Sequence, residues 1–83
     1  MENIHDWYVA NYPDDPMGRR LDTTVTFDQL MTYIITDENS YSDELYIILG
    51  VEDSVIRERV FQELSDRYGI SYATIYNEWL NKL

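Results

Sequence analysis

Apolar residues recur four positions apart in the longest helix-forming segment of the chain, and this spacing constrains the fold more than any other feature. The stripe consists of Ile56, Val60, Leu64 and Tyr68, and it is widened by Phe61. Most charged residues of the segment lie off this stripe, and Glu63 and Arg67 among them are predicted to form an i, i+4 ion pair. The pattern predicts an amphipathic helix that packs against other helices through one side.

Four other segments combine helical spacing of apolar residues with a short polar residue able to cap the helix start. The predicted helices cover residues 3–12, 26–36, 42–49, 53–68 and 71–82. The expected caps are Asn3, Thr26, Ser42, Asp53 or Ser54, and Ser71. The short apolar run at 42–49 also fits a strand, because periodicity does not separate the two in so short a run. Residues 13–24 hold both prolines and are predicted to be a loop.

Five helical segments with short joins, and no alternating strands or repeats, predict one all-α domain over residues 1–83. We expect a small compact bundle of four to five helices. Its predicted core consists of Trp7, Phe27, Leu30, Ile34, Leu45, Ile48, Val60, Leu64, Ile75 and Trp79.

Several kinds of chemistry lack the residues that they require. The chain has no cysteine and one histidine, His5. Disulfides, thiolate metal sites and cysteine nucleophiles are therefore excluded. Asp37, Asn39 and Asp43 have the spacing of a calcium loop, but the turn glycine and the final glutamate of that loop are missing. We expect no enzyme activity, no cofactor and no metal site.

The charge of the chain is strongly negative and unevenly distributed. The net charge is −10 overall, −8 in residues 1–50 and −2 in residues 51–83. Such a surface repels nucleic acids and anionic membranes. It is typical of a solvated, soluble surface, and the alternative is a face that docks on a basic partner or mimics DNA. No apolar stretch is long enough for a membrane span, and the first residues lack the pattern of a secretory signal. We therefore expect a cytoplasmic protein with no membrane association.

The C-terminal pair of predicted helices resembles a helix-turn-helix, the DNA-binding motif with a tight turn between its two helices. Gly69 falls where the turn glycine belongs, and Ile75 is the inward apolar residue of the second helix. The base-facing positions would be Ser71, Tyr72, Ala73, Tyr76 and Asn77. They include no Arg or Lys, and Arg57, Arg59 and Arg67 are few for contacts to phosphates. DNA binding is thus the alternative reading, and structural packing is favoured.

Aromatic residues are more numerous than a small core can accommodate, with eight Tyr, two Trp and two Phe in 83 residues. Some are expected to be half-exposed, as interface tyrosines often are. The tentative interaction surface comprises Tyr72, Tyr76, Asn77, Asp14, Asp15, Asp37 and Glu38. Its expected partner is an unknown, basic protein, and a homodimer is the other option.

Three stretches, "DWYVANYPDDPMG", "GVEDSVIRERVFQELSDRYGI" and "TIYNEWL", resemble a family of short proteins encoded on conjugative transposons and related mobile elements of Gram-positive bacteria. The resemblance covers nearly the whole chain, and it carries over no functional residue. It implies a bacterial cytoplasmic setting and an accessory role on a mobile element. The expected function is therefore non-enzymatic protein–protein interaction through an acidic, Tyr-rich surface. A helix-turn-helix regulator and an acidic DNA mimic are the alternatives.

Overall fold

A computed structural model describes residues 2–36 and 53–82, which form a small all-α bundle. The helices are α1 (Ile4–Asn11), a 3-10 helix (Pro16–Arg20), α2 (Phe27–Thr36), α3 (Ser54–Tyr68) and α4 (Tyr72–Asn81). Four predicted helices are confirmed, each with bounds that differ by one residue at one or both ends. The predicted segment 42–49 lies outside the described residues, as do the predicted core residues Leu45 and Ile48.

The predicted helix caps are present where the structure describes them. Asn3, Asp53 and Ser71 accept hydrogen bonds from backbone N–H groups in the first turns of α1, α3 and α4. At the start of α2, Thr26 Oγ1 accepts from the Gln29 N–H at 3.1 Å, and Gln29 Oε1 accepts from the Thr26 N–H at 2.9 Å. This reciprocal pair is a capping box, which fixes the start of α2 more firmly than a single cap.

Residues 16–20 form a 3-10 helix, so the prediction of a continuous loop over residues 13–24 is wrong there. Asp15 caps this helix by accepting from the Met17 N–H at 3.0 Å. Pro16 takes the first helical position, where its missing N–H costs nothing. Asp15 and Pro16, which favour a turn, therefore also start a short helix.

Helix α4 packs against both α2 and α3, while α1 packs against the 3-10 helix. The Trp7 and Phe27 rings meet edge to face at 5.4 Å and join α1 to α2. An isolated bridge between Asn3 and Thr26 joins the segments that precede these two helices. All eight predicted core residues within the described ranges are buried. Seven further residues are buried in the core although they are not in the predicted core list: Ile4, Tyr8, Leu21, Met31, Tyr33, Ile56 and Phe61.

Tyr68, which was predicted to lie on the apolar stripe of α3, points outward instead, as do the apolar residues Leu80 and Ile35. Tyr68 is 38% exposed, Leu80 is 42% exposed and Ile35 is 40% exposed. Residues four apart on a helix advance by about 40° around its axis, so a run from Ile56 drifts by about 120° before it reaches Tyr68. The drift carries Tyr68 off the buried side of α3.

Candidate interaction surface

The tyrosines of α4 that were predicted to face a partner are turned partly inward. The Tyr72 and Tyr76 rings stack with centroids 6.2 Å apart. Both also meet the buried Phe61 ring edge to face, at 6.3 and 6.5 Å. Burial, followed by the nearby charge of Glu58, raises the pKa of Tyr72. The two rings are half-buried, and only Asn77 among the three predicted residues of α4 is exposed.

Each arginine of α3 lies over an aromatic ring of another element. The Cζ atoms of Arg57, Arg59 and Arg67 are 4.7, 4.2 and 4.1 Å from ring centroids. The rings belong to Trp79, Tyr12 and Phe27, respectively. These cation–π contacts draw the guanidinium groups onto the body of the protein.

Carboxylates bind Arg59 and Arg67. Arg59 Nη1 lies 2.8 Å from Asp15 Oδ2, and Arg67 Nε lies 2.7 Å from Glu63 Oε1. The second pair confirms the i, i+4 ion pair predicted from the sequence. Arg67 also binds Glu2 through Nη2. The positive charge of both side chains is therefore balanced within the protein.

Asp15 belongs to a network that joins α1, the 3-10 helix and α3. Tyr8 Oη donates to Asp15 Oδ2 at 2.7 Å, and Arg59 Nη1 donates to Tyr8 Oη at 2.6 Å. The hydrogen bond from Tyr8 and that from the Met17 N–H lower the pKa of Asp15. Burial, with the adjacent Asp15 carboxylate, raises the pKa of Tyr8. Asp15 is thus mainly a structural residue, while its exposed neighbour Asp14 remains open to solvent.

Two adjoining depressions lie beside this network. One, of about 320 Å³, is bounded by Trp7 and Tyr12 of the α1 side and by residues of α3. Its α3 residues are Glu58, Arg59, Gln62, Glu63 and Asp66. We call this depression the acidic groove. The other, of about 420 Å³, is lined by Asn11, Tyr12, Pro13, Asp14, Asp15 and Arg59. Because Tyr12 and Arg59 line both depressions, they form the wall between them.

The acidic groove has more carboxylates than the nearby cations balance. Glu58, Glu63 and Asp66 line it together with one cation, Arg59. Glu63 is bound to Arg67, and Arg59 is bound to Asp15. Within residues 2–36 and 53–82, Glu58 and Asp66 have no cationic side chain within ion-pair distance. Asp66 Oδ1 accepts a hydrogen bond from the Gln62 amide at 3.2 Å.

The residues of the tentative interaction surface are not gathered into one face. Tyr76 lies against the side of α3 that faces α4, because the Arg57 guanidinium contacts its ring. Asp15 lies against the side of α3 that faces α1, where it binds Arg59. Arg57 and Arg59 are two residues apart and therefore about 200° apart around α3. Asp37 and Glu38 lie outside the described residues.

The sequence contains a signal for the clustering of the groove residues of α3. Glu58, Gln62 and Asp66 are spaced four apart, which places them on one side of a helix. The contribution of Trp7 and Tyr12 had no such signal, because it depends on how α1 packs against α3.

His5 and Asp6 are in contact, contrary to the expectation that sequence neighbours on a helix face apart. His5 Nδ1 lies 3.0 Å from Asp6 Oδ1. Asp6 also accepts from the Asn3 amide at 3.1 Å, which draws its carboxylate back over the first turn of α1. Among the residues that the structure describes, no cluster of three metal-ligating side chains occurs.

The chain matches no known protein-family model, no curated protein and no solved structure. Over the described ranges, none of the helices combines the length and the apolar character needed to cross a bilayer.

Proposed function

We propose that this protein is a non-enzymatic interaction protein whose acidic groove binds a basic segment of a partner protein. One observation carries the proposal: Glu58 and Asp66 rim an aromatic-walled groove, and no cation of the described residues neutralises them. Unbalanced carboxylates beside apolar rings favour a ligand that brings its own positive charge.

The arrangement of the arginines supports a protein partner over DNA. Phosphate binding requires exposed cations, and it supplies most of the affinity of DNA-binding proteins. Arg59 and Arg67 are held by carboxylates, and Arg57 is held over Trp79. Tyr72 and Tyr76 pack on Phe61 in place of projecting from α4. Under this proposal, the helix pair joined at Gly69 has a structural role.

The resemblance to short proteins of conjugative transposons supplies the proposed setting. An accessory protein of a mobile element in the bacterial cytoplasm would meet basic host proteins, among them proteins that bind DNA. The −10 net charge supports such encounters, since it steers basic partners toward the surface. DNA mimicry would be the special case in which duplex DNA competes for the same partner.

Fluorescence anisotropy with labelled polylysine, labelled polyarginine and labelled duplex DNA tests the proposal. We expect the full-length protein to bind the polycations at low salt and to leave the duplex unbound. Glu58→Gln should weaken polycation binding more than Glu78→Gln, which removes the same charge from an exposed site on α4. If the two variants weakened polycation binding equally, the proposal of a specific groove would be wrong. Salt-sensitive binding of the duplex would instead support the helix-turn-helix alternative.

A further inference from the structure

We infer that the acidic groove recognises the guanidinium group of an arginine side chain in a flexible peptide segment. This inference rests on the proposed function and specifies its ligand. The groove lies outside the Tyr8–Asp15–Arg59 network, although Arg59 contributes to its wall.

The dimensions of the groove suit one side chain. At about 320 Å³ it is at the lower end of the range for small-molecule sites. Trp7 and Tyr12 contribute aromatic surface, and Tyr12 is only half-buried. Because Trp7 is only 8% exposed, a long side chain with a flat cationic end would lay its methylene groups mainly on the Tyr12 ring and keep its charge at the rim.

The charge within the groove also selects a cation. Three carboxylates and one guanidinium line it, which gives a net charge of −2. Asp15 compensates the Arg59 charge at 2.8 Å, so Arg59 repels an incoming cation less than a free guanidinium would. Glu58 and Asp66 are the residues available to pair with the ligand.

The protein itself shows how an arginine is held at this position. The Arg59 Cζ atom is 4.2 Å from the centroid of the Tyr12 ring, and Asp15 binds its Nη1 atom. A ring and carboxylates also line the groove, which Tyr12 shares with Glu58 and Asp66. A planar, weakly hydrated guanidinium exploits such a combination better than a lysine ammonium, which holds its water more tightly.

The experiment is isothermal titration of the full-length protein with a short Gly/Ser peptide that carries two arginines. Matched peptides carry lysine or citrulline at those positions. Citrulline keeps the planar shape of arginine and removes its charge. We expect the arginine peptide to bind roughly two- to fivefold more tightly than the lysine peptide, as a cation–π contribution at a partly exposed site would produce. The citrulline peptide should not bind measurably.

Variants assign the effect to individual residues. Glu58→Gln and Asp66→Asn should each weaken both basic peptides, whereas Glu78→Gln should leave them nearly unchanged. Tyr12→Leu should remove the preference for arginine while retaining charge-driven binding, and Tyr12→Phe should preserve the preference because it keeps the ring. Thermal unfolding of each variant shows whether the fold is retained.

The outcomes separate the inference from the proposed function. Equal binding of the arginine and lysine peptides, still weakened by Glu58→Gln, would overturn the guanidinium inference and leave a general acidic site. Absence of binding by both basic peptides, at low salt and with a folded protein, would overturn both. A preference for arginine that survives Tyr12→Leu would place the recognition outside this groove and overturn the inference.

Discussion

Arg59 Nη1 and Asp15 Oδ2 are 2.8 Å apart although 44 residues separate them in the chain. The Arg59 guanidinium lies over the ring of Tyr12, and both members of the pair bind the hydroxyl of Tyr8, so the pair connects α3 to the end of α1. Its geometry also shapes the wall that the two depressions share. The contact is therefore both part of the fold and part of the candidate interaction surface.

The hydroxyl of Tyr8 is expected to contribute to stability through this pair. Tyr8→Phe keeps the buried ring and removes one partner from both Asp15 and Arg59. We expect a loss of about 1.5–3 kcal/mol in the free energy of unfolding, as for a hydrogen bond to a charged group. Urea denaturation measures this loss. Tyr12→Phe is the control, because the Tyr12 ring contacts Arg59 through its face and the phenylalanine ring keeps that contact. A loss as large in the control would contradict the role assigned to the Tyr8 hydroxyl.

The Asp15 carboxylate should make stability depend on pH in the acid range. Its pKa in the folded protein is lowered from the ordinary 3.8, mainly by the Tyr8 and Met17 hydrogen bonds. A lowered pKa means that the contribution is present above pH 3.8 and is lost as pH falls through the folded value. Chemical denaturation at steps from about pH 6 to about pH 2 should show this loss as a fall in the free energy of unfolding.

Asp15→Asn isolates the contribution of this carboxylate. The variant should be less stable than the original protein at neutral pH, and the difference should shrink on acidification. Asp22, whose pKa is lowered by its bonds to Thr24, also titrates in this range, so Asp22→Asn serves as the comparison. A constant difference between the protein and Asp15→Asn from neutral to acid pH would show that Asp15 does not carry the effect.

Gly69 is required at the turn between α3 and α4 because of its backbone conformation. Its φ is +67°, in the left-handed region, and a Cβ placed there would meet nothing within 4 Å. The cost of Gly69→Ala is therefore conformational, about 1–2 kcal/mol in the free energy of unfolding. Gly69→Asn should cost less, because asparagine tolerates this region. Thermal or urea unfolding of the two variants gives the comparison.

Gly18 provides the contrasting case for this prediction. A Cβ at Gly18 would lie 3.1 Å from Cδ1 of the buried Tyr8 ring, and its φ is not in the left-handed region. Alanine and asparagine should both destabilise at this position, with the larger asparagine worse. If asparagine were no better than alanine at Gly69, the conformational explanation for Gly69 would be wrong.

The sequence predicted the parts of the fold that depend on near neighbours. Caps such as Asn3 and Ser71, the turn at Gly69 and the Glu63–Arg67 pair all involve residues within four positions of one another. Buried faces were predicted because helical spacing repeats along one segment. Both kinds of prediction need no knowledge of how the helices are arranged.

The candidate site was harder to predict because it depends on that arrangement. The Arg20–Asp53 contact, at 3.5 Å, and the Asp15–Arg59 pair join distant segments whose pairing no local rule specifies. The groove arises where Trp7 and Tyr12 of the α1 side meet α3. An abundance of carboxylates indicated an acidic surface, and only the packing shows which of them are already paired.

Tyr68 should make the fold sensitive to alkaline pH. Its hydroxyl donates to Asp28, and burial together with this carboxylate raises its pKa from 10.0 to about 12. Because the folded value is raised, the contribution to stability is complete below pH 10 and is lost as pH rises toward 12. The interaction joins the end of α3 to the start of α2, so we expect its loss to lower the unfolding temperature. Tyr68→Phe should remove this part of the pH dependence.

Tyr8 and Tyr72 also have raised pKa values and will maintain some alkaline sensitivity in the variant. The decisive quantity is the difference in unfolding temperature between the protein and Tyr68→Phe, measured at neutral pH and in steps through this alkaline range. That difference should narrow as Tyr68 ionises, and a difference that stays constant would show that the Tyr68–Asp28 hydrogen bond does not stabilise the fold.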